Sequence, residues 1–161
     1  VVAPGTIFAL FAGIYYWFPK MTGKKMSEML GKMHFWPSLI FMNGIFMPMF
    51  IQGLAGVSRR LADGGQSYAH ASGVLEWNEF MSISAFCLGI AQIPFIVNIL
   101  MSLFSGAKAS RNPWDSTTIE WAAPSPPVGH GNFDGPINVY HTAYEYSVPD
   151  DKKDFKPQFE N

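Results

Sequence analysis

Arg59 and Arg60 are adjacent, and no other arginine precedes Arg111. They end the stretch Phe46–Arg60, FMPMFIQGLAGVSRR, where an apolar run meets polar sequence. A guanidinium stays charged at such a boundary and offers a planar fork of donors that matches carboxylate or phosphate oxygens. Two chemistries suit the pair. It holds lipid phosphate at a membrane rim with snorkelling side chains, or it clamps the paired carboxylates or phosphates of a ligand. The nearest acid in sequence is Asp63.

Other reactive residues are sparse. His34 is the only histidine at the end of an apolar run. Its helical neighbours would be Leu30, Gly31, Pro37 and Ser38, none of them a usual metal ligand. It therefore reads first as a satisfied interfacial histidine. His70, His130 and His141 are scattered in polar segments. The single cysteine, Cys87, makes no disulfide framework or zinc motif. Most of the nine methionines, Met42, Met47 and Met49 among them, fall in apolar sequence and read as packing residues. No phosphate-binding or nucleophile-elbow motif is present. No catalytic residue and no metal site is expected within this chain.

The elements that must position these residues follow from composition. A net charge of −1 over 161 residues gives no electrostatic basis for a nucleic-acid partner. Only 14% of residues are charged and 16% are aromatic, a departure from soluble composition in the direction of a membrane protein. The mean hydropathy of +0.10 averages two unlike parts. Residues 108–161 hold eight of the twelve acids and seven of the twelve prolines, while residues 1–107 are apolar with sparse charge.

Three spans are expected, at about 1–18, 33–57 and 80–107, each long enough or nearly so to cross a bilayer. Tyr15, Tyr16 and Trp17 form an aromatic belt at the end of the first, and Pro19 is expected to stop it. The loop Lys20–Lys32 carries four lysines and one acid, which places it on the cytoplasmic side. The loop Arg59–Glu79 then falls outside, so the arginine pair breaks the usual bias of basic residues, a departure that tends to mark function. The third span returns inwards, with Pro94 as a kink site, to Lys108 and Arg111. The tail, 108–161, is proline-rich yet aromatic, through Trp114, Trp121, Phe133, Tyr140, Tyr144 and Tyr146. It reads as an extended cytoplasmic strap, not a generic linker. The fold class is thus an all-α membrane protein. Three transmembrane helices form part of a larger helical bundle and are followed by an irregular tail. The sequence starts without Met inside an apolar run and is expected to be the C-terminal portion of a longer polypeptide.

The ordered motifs GTIFALFAGIYYWFP, GKMHFWPSLIFMNGIFMP, GLAGVSRR and NPWDSTTIEW…PSPP resemble the C-terminal part of subunit I of haem–copper cytochrome c oxidase over nearly the whole chain. The resemblance implies an oxidase that reduces oxygen to water with electrons from cytochrome c, coupled to proton pumping. It implies two a-type haems and copper, with the metal ligands outside this chain and an H-x-H just before Val1. Arg59 and Arg60 would bind haem propionates on the outer side, and Phe46, Ala3 and Ile7 would pack on haem. His34 matches a histidine at the inner mouth of a proposed proton route. The implied partners are the remainder of subunit I, a dinuclear-copper subunit II, cytochrome c and the lipid bilayer, in a bacterial inner membrane. Ser58 departs from the proline many members carry there, and the outer loop is longer after Asp63. A quinol oxidase of the same superfamily is the alternative within it. A non-catalytic three-span accessory subunit is the alternative outside it.

Overall fold

The computed structural model describes residues 2–58, 60–130, 132–133, 135–142, 145, 149–150, 152 and 155–160, with the backbone alone for Ala3. Arg59, Tyr144, Tyr146 and the side chain of Ala3 therefore lie outside the described residues. The described residues are mostly helical and contain no strand; Lys24 and Lys108 form an isolated antiparallel bridge. Helix α1 runs Val2–Thr22, α2 Glu28–Leu54, α3 Trp77–Ala91 and α4 Ile93–Ser105. Single 3₁₀ turns occupy Ala69–Val74 and Ile119–Ala122. Two compact units result, one of Val1–Met26 with Met101–Asn161, the other of Ser27–Leu100.

In the second unit α2 starts at Ser27, whose hydroxyl accepts from the Leu30 amide at 3.5 Å. The helix passes through Pro37 and Pro48, and it ends on Gly56 at φ 86°. There the Val57 amide donates to the Gln52 carbonyl at 3.0 Å and the Gly56 amide to the Gly53 carbonyl at 3.1 Å. This paired closure needs a left-handed residue, which glycine supplies without a Cβ penalty. Helices α3 and α4 are separated at Gln92, two residues before Pro94, whose ring removes a donor and clashes with a continuous turn.

Two segments, Glu28–Leu54 and Trp77–Ser105, are long and apolar enough to cross a membrane. In each, only 17% of the apolar stretch is buried, unlike the core helix of a soluble protein. Most of the buried side chains between them are polar: His34, Ser38, Gln52, Ser84 and Asn98 are buried, with Pro48 and Ala91, while Ile40, Leu54, Phe86 and Ile90 are exposed. Membrane helices show this inverted pattern, because lipid gives apolar faces no drive to pair and polar groups serve as the glue. Asn98, fully buried, donates to the Ser27 carbonyl at 2.9 Å and accepts from its amide at 2.8 Å. Further along, a Cβ on Gly44 would lie 2.7 Å from the Ser84 hydroxyl, so the helices cross there by virtue of small residues.

In the first unit α1 continues through Pro19, contrary to the stop expected there. A proline removes only its own amide donor, and the turn that ends the helix is made by Gly23 at φ 69°. Lys20 is accordingly helical, not a loop residue. Its ammonium donates to the Ala123 carbonyl at 2.7 Å and sits 4.9 Å from the Trp121 ring centre. Lys24 donates to the Leu103 carbonyl at 2.6 Å and the Phe104 carbonyl at 3.2 Å, closing the C-terminal end of α4. Tyr16 anchors the tail. Its ring stacks on Trp114 at 6.2 Å and meets Trp121 edge-on at 5.1 Å, and its hydroxyl shares a 2.7 Å bond with Ser116.

Candidate functional site

Leu54 closes α2 and Trp77 opens α3; the loop between them carries the arginine pair. Arg60 lies on the wall of a cavity of about 490 Å³ together with Phe46, Met49, Gln52, Gly53, Asn78 and Met81. Phe46 and Gly53 share the cavity because they stand seven residues apart on α2, two turns of one helix face. A Cβ on Gly53 would meet no atom within 4 Å, so the cavity is open at that point.

Arg60 adopts φ 59°, a left-handed conformation that non-glycine residues rarely take. Such backbone strain persists where surrounding contacts over-determine the fold, commonly at functional sites. Asp63, the nearest acid, does not neutralise it. The Asp63 carboxylate accepts from the Gly65 amide at 3.0 Å, the Ser67 amide at 2.9 Å and the Ser67 hydroxyl. These donors, the Ser67 hydroxyl foremost, hold its carboxyl below the usual carboxylate range. Among the described residues no carboxylate pairs with Arg60. The site thus offers a guanidinium that no described carboxylate pairs with, beside apolar and aromatic walls. That combination can take a flat apolar group with an anionic edge.

Of the expected site residues the structure brings together Phe46 and Arg60. Arg59 and the Ala3 side chain lie outside the described residues. Ile7 is exposed on α1, in the first unit. His34 is on α2 but twelve residues before Phe46, about 18 Å along the axis. It is buried, stacks on Phe95 with ring centres 4.9 Å apart, and shares a 3.0 Å hydrogen bond with Gln92. The Gln92 amide nitrogen in turn donates to Ser38 at 3.0 Å and to the Leu88 carbonyl at 3.0 Å.

Sequence reasoning singled out His34 but passed over its partner Gln92, and passed over Asn78 and Asn98. Each is an uncharged polar residue in or beside an apolar run, and that was the available signal. Among the described residues no three His, Cys, Asp or Glu side chains gather as a metal-binding group.

The chain matches the family described as Cytochrome C and Quinol oxidase polypeptide I over residues 1–119. It is 41% identical over 158 residues to the alternative cytochrome c oxidase subunit 1 of Bradyrhizobium diazoefficiens, covering 98% of this chain and 26% of that protein. It is 40% identical over 148 residues to the cytochrome c oxidase subunit 1 of Synechocystis, covering 92% and 26%. With the cytochrome c oxidase subunit 1 of Thermostichus vulcanus the identity is 42% over 128 residues, covering 80% and 22%. The chain spans about a quarter of the length of the curated relatives it matches. With the family matched through both long apolar segments and into the tail, the chain belongs to the cytochrome c and quinol oxidase polypeptide I family.

Proposed function

We propose that this chain is the C-terminal portion of the catalytic subunit of a respiratory terminal oxidase. That enzyme reduces oxygen to water with electrons from cytochrome c and couples the reaction to proton pumping. The matched family covers both branches, and the names of the relatives support this reading over the quinol oxidase. In this portion α1, α2 and the α3–α4 pair are three membrane spans of a bacterial inner membrane. The arginine loop is outside, and the tail is on the cytoplasmic side. The partners are the remainder of subunit I, a dinuclear-copper subunit II and cytochrome c.

The observation that carries the site assignment is Arg60, paired with no described carboxylate, beside Phe46 in one cavity. These residues fit a haem edge. The apolar wall suits the macrocycle, and the guanidinium suits a propionate. Haem supplies electron transfer when bound, its ligands and those of copper belonging to residues outside this chain. Arg59 and Arg60 hold the propionates ionised by charge-assisted hydrogen bonds. Phe46 keeps water from the macrocycle face, and the bare Cα of Gly53 leaves room beside it. Ala3 and Ile7, on α1, are proposed as haem-packing residues on the family resemblance alone. At the other end of α2, the His34–Gln92–Ser38 hydrogen bonds support a place for His34 at the inner mouth of a proton route.

The test is made in the assembled oxidase. Arg59→Ala and Arg60→Ala are each expected to shift the absorption band and midpoint potential of the adjacent haem. If both variants keep the native band and potential, the propionate assignment is wrong.

A further inference from the structure

We infer that Asn78 is a positioning residue for Arg60, the joint through which α2 and α3 fix the place of the arginine loop. Asn78 is the second residue of α3. Its amide nitrogen donates to the Gly64 carbonyl at 2.9 Å, and its amide oxygen accepts from Gln52 at 2.9 Å. Gln52, in the last turn of α2, uses the same nitrogen to reach the Val74 carbonyl at 3.1 Å. Gln52, Gly64 and Asn78 all line the cavity that Arg60 lines.

The loop's shape and its place are held by different bonds. The chain is turned at Arg60, Gly64 and Gly65, with φ of 59°, 64° and 92°. Within the loop, Asp63 bonds Gly65 and Ser67, and the Tyr68 hydroxyl donates to Ser58 at 3.2 Å. These contacts join the loop to itself, so they set its shape. The bond from Asn78 to Gly64 runs from a helix to the loop's backbone four residues beyond Arg60, so it sets where that shape sits. Gln52 then ties the same joint to the helix that carries Phe46. Only a side chain that donates and accepts at once serves both neighbours. A carboxylate there would accept only, and an aliphatic residue would do neither.

The spectroscopic test rests on the propionate reading of Arg60. In the assembled oxidase, Asn78→Ala is expected to shift the haem band and midpoint potential in the direction of Arg60→Ala, by a smaller amount. It is expected to add nothing in the Arg60→Ala background, because its effect passes through that guanidinium. Asn78→Leu keeps most of the volume and loses both bonds, and it carries the same comparison if the alanine variant does not assemble. Absence of a shift with Arg60 present, or an equal shift with and without it, overturns the inference. If Arg60→Ala itself moves neither band nor potential, the propionate reading fails, and a second readout decides the inference alone. Tryptic cleavage after Arg60 in the solubilised complex is expected to rise about five- to tenfold in Asn78→Ala, as for loss of one hydrogen bond. Cleavage at the native rate sinks the positioning role.

Discussion

Asp63 and Ser67 are bonded through both the backbone amide and the hydroxyl of the serine, and among the described residues no carboxylate pairs with the guanidinium three residues before Asp63. A carboxylate held below its usual range stabilises the loop above the unfolded value. That contribution is lost as pH falls through the lowered folded value. This carboxylate contact is therefore intact around neutrality and is lost only below about pH 4. A spin label at Ala62 reads this directly. Its spectrum is expected to sharpen on acidification in the native sequence, and to be sharp already at neutral pH in Asp63→Ala. A native spectrum in Asp63→Ala at neutral pH removes the role given to the carboxylate.

Arg60→Lys separates charge from geometry. Lysine keeps the charge but presents a point donor in place of a fork. It is expected to recover part of the haem shift caused by Arg60→Ala, with the alanine variant losing about 1.5–3 kcal/mol of interaction, as for a hydrogen bond to a charged group. Redox titration of the three proteins checks the order native, lysine, alanine. A lysine variant as displaced as alanine would mean that charge at this position is not what the haem senses.

Several features were legible in the sequence because they depend on short-range pattern. The apolar runs that became α2 and α3–α4, the glycine exit at Gly56 and the cationic break at Arg60 need no distant partner to be read. Other features depend on residues far apart. Lys20 looked like a loop cation because its acceptor, the Ala123 carbonyl, is 103 positions away. His34 looked self-contained because Gln92 is 58 positions away. Pro19 was overweighted. The rule that proline breaks helices counts one lost donor, and α1 accommodates that loss one turn before Gly23 ends it. The Phe46–Arg60 cavity was foreseeable as an association, but its closure by Gln52 and Asn78 was not, since nothing local pairs those two amides.

Asn98 is the most buried of the polar pins and holds both the amide and the carbonyl of Ser27. Asn98→Leu leaves the two main-chain groups without that partner, at about 1–3 kcal/mol for each one left unsatisfied. The expected outcome is a lower thermal midpoint of the assembled complex with the haem band unchanged, because Asn98 lines no part of the Arg60 cavity. A native midpoint would show that water or another group satisfies Ser27 equally well.

Gly44 and Ser84 test whether α2 and α3 meet through small residues. Gly44→Ala places a methyl 2.7 Å from the Ser84 hydroxyl and 3.2 Å from its Cβ, so the serine must rotate away or the helices must part. Overpacking of this kind costs about 1–3 kcal/mol. Ser84→Gly removes both opposing atoms, leaving Phe80 at 3.6 Å as the next neighbour, an ordinary contact. The double variant Gly44→Ala/Ser84→Gly is therefore expected to melt closer to the native protein than Gly44→Ala does. The thermal midpoints of the native, the two single variants and the double variant form a cycle whose coupling reads the contact itself. Additive losses would mean that the helices do not cross at this pair.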